Sequence, residues 1–503
     1  MKTLKTAQGE LMKKRIVAIM LCAALLTGCG SKADVQEKTT FVKELSGKNS
    51  MLDEAKIDYE VPGAYPGICV DLEGYELNKT KEAILEGENL PAIFIVKDAA
   101  TDEEVYRGSV KRRVSSEEDG KLSGVADFTD ITTEGCYYIE AEILGRSKNF
   151  YIRESVYEST LLTAFSKLHK MRCDYCHMAS VPFENDLTTY MDVSGGWHTA
   201  EGGQKDVVEA CLSVMDLCTA YEFYPSAFTD DYGYEFSGNR IPDILDEAAY
   251  EIEWLLKMQN QETGGVYTSV SLQNLPGERE KKLAIGGETT RATAYFCACL
   301  AKFSMDYKQF DSNLSQRAFQ AASKAWKCLE ANKDIVTSDQ MYRAATEMFK
   351  ATGSGVYNQI ILEYLKLNAG AAYDGRATLD AAITYLSTSR NTDRNYCAQL
   401  MNSFKSRIKG KADAGDKARF GVDPEAIEVV DQLRNAYEMM LCDYIDNSKE
   451  YEGSEEDYIH YLLGRNAYSE KYIESVNSPN AYAELIAVSA KLNKSVKDRK
   501  GKK

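Results

Sequence analysis

The spacing of apolar residues changes once along this chain, near residue 156, and that change limits the folds open to it. Before it the runs are short. Ala92 to Val96, Gly135 to Ala141 and Asn149 to Ile152 are apolar, aromatic or β-branched, with turn residues between them. Several short strands in residues 58–155 predict a small all-β sandwich. After it the period is helical. Val207, Val208, Cys211, Leu212, Met215 and Cys218 share one face, and a second helix is expected over Asp243 to Gln259, with Pro242 at its start. Further periodic stretches are Ala292 to Phe303, Gln316 to Leu329, Met341 to Ala351, Tyr357 to Leu367, Ala381 to Leu386, Tyr396 to Ile408, Glu425 to Tyr444, Asp457 to Leu463 and Ala481 to Leu492. With one more helix near Leu161, about a dozen helices without a sequence repeat fit an α-solenoid or a closed α/α barrel.

The 503 residues exceed one ordinary core, so at least two domains are expected. A net charge of −17 argues against nucleic acid as a partner and against an electrostatic grip on anionic lipid. The N-terminus reads as an export signal. Lys13, Lys14 and Arg15 precede an apolar run from Ile16 to Leu26 that is too short to span a bilayer. Leu26-Thr27-Gly28-Cys29 resembles a bacterial lipobox, which implies a signal peptide over residues 1–29, acylation of Cys29 and anchoring to the outer face of the cell membrane. An ordinary signal peptide with an incidental Cys is the alternative. Residues 30–57 are polar and read as a tether. The remaining cysteines have no regular spacing, and Cys211, Cys218, Cys297 and Cys299 sit on apolar helix faces. Reduced core thiols are expected rather than a disulfide framework.

Asp192-Val193-Ser194-Gly195-Gly196-Trp197-His198 resembles the active-site loop of family 9 glycoside hydrolases, the inverting cellulases. Ile241-Pro242-Asp243-Ile244-Leu245-Asp246-Glu247-Ala248, Gly264-Gly265-Val266-Tyr267, Thr290-Arg291-Ala292-Thr293-Ala294, Ala344-Ala345-Thr346-Glu347 and Leu463-Gly464-Arg465-Asn466 are also similar to that family, in its order. The resemblance implies a mainly α fold, an (α/α)6 barrel over residues 156–495, preceded by an immunoglobulin-like sandwich over 58–155.

An inverting glycosidase needs a carboxylate base and a carboxylic acid roughly 6.5–9.5 Å apart, with the attacking water between. In the family the loop continues Asp-Ala-Gly-Asp. Here it continues Thr199-Ala200-Glu201-Gly202, so Thr199 and Gly202 stand where the resemblance places the two aspartates. Glu201 is a candidate base, and Asp206 reads as the cap of the next helix. The family's His-His-Arg segment has no counterpart. Glu484 and Glu474 are the candidates for the acid that the family carries before its last helix. Trp197 is a candidate stacking face for sugar, as are Tyr221, Tyr224, Tyr232 and Tyr234, whereas Trp254 and Trp326 have core spacing. Cys173, Cys176, His177 and His198 form a Cys2His2 set suited to structural zinc, with buried free thiols or a redox pair as alternatives. Two functions remain. One is hydrolysis of β-glucan, weakened by the lost carboxylates. The other is a non-catalytic surface module that binds a glycan or scaffolds another protein.

Overall fold

The computed structural model describes residues 67–115, 120–173, 180–370, 373 and 375–500. The proposed signal peptide with Cys29, the tether, and Cys176 and His177 lie outside the described residues.

The first part is a sandwich. One sheet has the order β1 (Ile68–Cys69), β3 (Glu82–Gly87), β7 (Leu122–Asp127), β6 (Lys111–Ser115). The other runs β2 (Tyr75–Glu76), β10 (Phe150–Arg153), β8 (Gly135–Ala141), β4 (Ile93–Asp98), β5 (Glu104–Ser109), with β9 (Gly145–Arg146) on β8. Alternate residues point inward, as the two-residue period of a strand requires. Ala83 and Leu85, Phe94 and Val96, Tyr137 and Ile139, and Phe150 and Ile152 make one buried core.

Twelve α-helices follow among the described residues: α1 (Val156–His169), α2 (Val207–Phe223), α3 (Asp243–Lys257), α4 (Thr290–Asp306), α5 (Ser312–Ala331), α6 (Ser338–Thr352), α7 (Gly355–Asn368), α8 (Arg376–Ser387), α9 (Arg394–Asp416), α10 (Val429–Ile445), α11 (Glu452–Leu462) and α12 (Pro479–Lys500). The even-numbered helices pack in sequence, α2 on α4 and onward to α12, and α12 closes the ring on α2. The odd-numbered ones lie outside them. This is the expected (α/α)6 barrel, and closure excludes the open solenoid. Alternate helices of such a chain run the same way, so the N-termini of all six inner helices open at one end, the mouth.

The helical reading missed one element. A third sheet, in the order β12 (Asp186–Asp192), β11 (Ser180–Phe183), β15 (Lys282–Ile285), β14 (Ser269–Gln273), β13 (Lys205–Asp206), stands where β13 runs directly into α2. Its strands are short and scattered between Ser180 and Ile285, and only Ser269–Gln273 alternates apolar with polar, over two apolar residues.

The sandwich is fixed to the barrel by buried polar contacts. The His460 ring Nδ1 lies 2.7 Å from Asp71 Oδ2, and Lys79 Nζ lies 2.5 Å from carboxylate oxygens of both Glu452 and Glu456. The Leu463-to-Asn466 motif belongs to this junction. The Leu72 amide donates to Leu463 O at 2.9 Å, Arg465 Nη1 to Glu82 O at 3.4 Å, and Asn466 Nδ2 to Tyr461 O at 2.7 Å. The described cysteines are all free thiols, and Cys211, Cys218, Cys297 and Cys299 are buried, as expected.

Candidate functional site

The loop that follows β12 is held on the outer helix α3. Lys257 Nζ donates to Asp192 Oδ2 at 2.8 Å, to Ser194 O at 2.9 Å and to Ser194 Oγ at 3.0 Å. Partial burial works to raise the Asp192 carboxyl, but Lys257 and Ser194 outweigh it and hold the group down at about 2. Asp192 is therefore the loop's anchor. At Gly196, φ is +71° and a Cβ would stand 2.6 Å from Trp254 Cγ, so both the backbone and the contact require glycine.

Trp197 is a core residue and not the stacking face expected of it. It is 1% exposed, its amide donates to Glu251 Oε2 at 2.6 Å, and its indole N–H donates to Glu247 Oε1 at 2.8 Å. Glu247 also accepts from Arg172 Nε at 2.9 Å and lies 3.0 Å from His169 Nδ1. Trp254 and Trp326 are buried, as their spacing predicted. The tyrosines proposed as a platform are corrected too. Tyr224 is buried, while Tyr221, in the last turn of α2, and Tyr232 and Tyr234, beyond it, pack partly buried against the barrel core, at the end of α2 away from the mouth.

Glu251 carries a pH signature. Complete burial pushes its carboxyl from 4.5 to about 8, against the Trp197 amide and Lys205, which lower it. The folded state thus favours the protonated acid. That stabilisation is complete below the unfolded value of 4.5 and is lost as pH rises through about 8. Urea midpoints of the wild type are expected to fall between pH 5 and pH 9, and Glu251→Gln to flatten much of that fall. Parallel pH profiles for the two proteins would refute it.

The carboxylates near the mouth divide by environment. Glu201 opens a 3-10 turn (Glu201–Gly203) and is exposed. Asp206 caps α2, as predicted, accepting from the Glu209 amide at 2.9 Å. Glu474 sits exposed in a second 3-10 turn (Tyr472–Ser475) just before α12. Glu484 is 1% exposed and accepts from Arg376 and Arg434. Burial pushes its carboxyl up and the two guanidiniums pull it back. Arg376 also binds Asp216, which accepts from Asn480 Nδ2 at 2.6 Å. Glu484 is thus part of a closed charge network among the inner helices and is withdrawn as the candidate acid. Glu209, in the first turn of α2, was missed by sequence reasoning. It accepts from Ser478 Oγ at 2.7 Å, a bond that joins the starts of the neighbouring helices α2 and α12. An acidic first-turn residue just after the active-site loop was the available signal.

Two places have metal-ligating chemistry. Arg172 and Trp197 form an antiparallel bridge, flanked by Cys173 N–H to Gly196 O and His198 N–H to Met171 O, both at 2.8 Å. In that register Cys173 and His198 lie on one face of the ladder. Lys205, also buried, hydrogen-bonds the Cys173 thiol and donates to Val193 O at 2.7 Å. Elsewhere, one carboxylate oxygen each of Asp230, Asp243 and Asp246 lie within 4.8 Å of one another.

The family model for glycosyl hydrolase family 9 matches residues 161–485, and a cellulase N-terminal ig-like domain matches residues 64–146. The chain belongs to glycosyl hydrolase family 9. It is 24% identical to endoglucanase D of Acetivibrio thermocellus over 93% of this chain and 78% of that protein. It is 22% identical to the xyloglucan-specific endo-beta-1,4-glucanase BoGH9A of Bacteroides ovatus, over 80% of each. A solved family 9 structure from Bacteroides ovatus superposes with a TM-score of 0.74 at 18% identity, covering 86% of this chain and 99% of that one, which shows the same fold.

Family 9 membership sharpens the contrast within the loop. The anchoring half, Asp192 to His198, is bound at five points to Lys257, Glu251 and Glu247. The half that the resemblance assigns to chemistry, Thr199 to Gly202, offers only Glu201 as a carboxylate.

Proposed function

We propose that this chain is an exported, lipid-anchored family 9 member that holds β-1,4-glucan at the barrel mouth and hydrolyses it weakly. Family membership and the names of its endoglucanase relatives support the substrate class. The observation that carries the reading is the pairing of an intact loop scaffold with Glu474, the exposed carboxylate before the last helix. Weakness follows from Thr199 and Gly202, neither of which takes a proton from water near neutral pH. A general acid or base contributes ~10²–10⁴-fold. Exposed rings lie in the connections that lead into α2 and α12. Tyr190 on β12 is 61% exposed, and Tyr468, between α11 and α12, is 52% exposed. Sugar rings pack on such faces. The test is incubation of the protein lacking residues 1–29 with soluble β-glucans, counting reducing ends. Slow release supports the reading. Tight binding without release supports the second one, a non-catalytic glycan-binding module, which the Thr199 and Gly202 positions favour. No binding at all points to a scaffolding role.

The lipid anchor rests on Cys29 and the residues before it. Mass spectrometry of the membrane fraction is expected to find a diacylglyceryl group on Cys29, and Cys29→Ser to release the protein.

Two cation sites are proposed. Cys173 and His198, with Cys176 and His177, suit zinc by donor type. Asp230, Asp243 and Asp246 suit a hard divalent cation by theirs. Asp243 is fully buried, its Oδ2 accepts from the Tyr232 amide and Ser237, and its Oδ1 has no hydrogen-bond partner. Burial pushes Asp246 up to about 6, and the neighbouring Asp243 and Asp230 carboxylates push the same way. Calcium is therefore expected to raise the unfolding temperature of the wild type but not of Asp243→Asn. Identical temperatures with calcium and with chelator would remove this site, and a zinc-free protein of equal stability would remove the other.

A further inference from the structure

We propose that Glu209 is the general base of the residual hydrolysis, working with Glu474 as the acid, in place of the absent loop aspartates. This rests on the reading that the mouth cleaves β-glucan at all.

Position is the first argument. Glu209 is the third residue of α2, at the mouth end of the inner ring, and follows directly on the active-site loop through β13. Its Oε1 accepts from Ser478 Oγ at 2.7 Å, and Ser478 is four residues beyond Glu474 on the segment that leads into α12. One hydrogen bond thus ties the carboxylate to the segment that carries the candidate acid. Ser478 bonds only Oε1, and the Glu209 Oε2 has no hydrogen-bond partner among the described residues.

Elimination is the second. Glu201 is exposed and without a side-chain bond that would fix it. Asp206 is committed to the helix cap. Glu484 is taken up by Arg376 and Arg434. Glu209 and Asp206 are both half-buried and bonded through one oxygen, but only Glu209 is tied to the segment that carries Glu474. Burial raises its carboxyl, Ser478 lowers it in part, and Asp206 raises it again. A carboxylate raised in this way is a stronger base than one in free solution, which is the direction that activation of water requires.

The step balances. The water oxygen bonds to the anomeric carbon as its proton passes to Glu209 Oε2. The bond from that carbon to the glycosidic oxygen breaks, and that oxygen takes the proton of the Glu474 carboxyl. One carboxylate becomes an acid, one acid becomes a carboxylate, and solvent resets both. Attack from the side opposite the leaving group inverts the anomeric centre.

The test is hydrolysis of cellohexaose by the protein lacking residues 1–29. Glu209→Gln keeps the acceptor for Ser478 and is expected to lower kcat by ~10²–10⁴-fold with KM changed by less than about 3-fold. Azide, which attacks without losing a proton, is expected to restore turnover of Glu209→Gln as the α-glycosyl azide, and to do nothing for Glu474→Gln. Ser478→Ala leaves the carboxylate in place but removes a bond that lowers it. It is expected to move the acidic limb of kcat/KM to higher pH, and it serves if Glu209→Gln does not fold. A Glu209→Gln protein with wild-type kcat, beside an inactive Glu474→Gln, overturns the base and leaves the hydrolytic reading standing. So does loss without azide rescue in a folded variant, or an acidic limb unmoved by Ser478→Ala. A wild type that releases no reducing ends overturns both.

Discussion

Replacing Glu474 by Gln is expected to lower the turnover of soluble β-1,4-glucan by ~10²–10⁴-fold while leaving the unfolding temperature unchanged. The two halves of that expectation have different origins. The side chain is exposed in a short turn before α12 and makes no hydrogen bond among the described residues, so the fold loses nothing with its charge. The turn itself is held by backbone, the Glu474 amide donating to Lys471 O at 3.0 Å, and by Ile473, which is buried. An amide there keeps the shape and removes the transferable proton. Kinetics on cello-oligosaccharides with a thermal melt of the same sample decide it. Unchanged turnover would move the acid elsewhere, and Glu484 offers no refuge because two arginines already occupy it.

The second large effect is on stability. Glu247→Ala is expected to cost about 3–5 kcal/mol, because one buried carboxylate serves three partners and its loss leaves a guanidinium and an indole N–H without their acceptor. Arg172 Nε and Trp197 Nε1 both converge on Oε1, at 2.9 and 2.8 Å, with His169 Nδ1 3.0 Å from Oε2. Arg172 also stacks on Tyr250, its guanidinium carbon 4.1 Å from the ring centroid, and that contact limits how far it can turn to find water. The active-site loop hangs on this same carboxylate, so denaturant melts and glucan binding should fall together. A variant as stable as the wild type would mean that the loop is held mainly by Lys257 and Glu251.

The sequence and the structure agree where the pattern is long. Each of the twelve periodic stretches became a helix, because apolar residues repeated at a 3.6-residue period leave little alternative. The sandwich was legible for the same reason at a period of two. The five-stranded sheet was not, since strands such as Lys205–Asp206 have no period at all. The site was only half legible. The departure at Thr199 and Gly202 is read from the resemblance alone, because a motif shows where a sequence leaves it. Trp197 misled because a tryptophan in an active-site loop suggests a sugar platform, and nothing local announces that Glu247 and Glu251, 50 and 54 residues away, bury it. Glu209 stayed hidden because its partner Ser478 is 269 residues distant and meets it only when the ring closes.

The central claim is that the mouth of this barrel is a β-glucan site whose chemistry is limited by two missing carboxylates. Thr199→Asp with Gly202→Asp addresses it directly. Thr199 is held by its amide on Gln204 O at 2.9 Å, a bond the substitution keeps. Gly202 has φ +76°, a conformation that Asp tolerates better than most residues, and an added Cβ would meet only the end of the Leu272 side chain, at 3.2 Å. The measurement is the rate of reducing-end release from soluble β-1,4-glucan by the wild type and this double variant, at equal stability. The account predicts slow release by the wild type and a gain of at least ~10²-fold in the variant. A folded variant that still binds glucan yet is no faster than the wild type would contradict it.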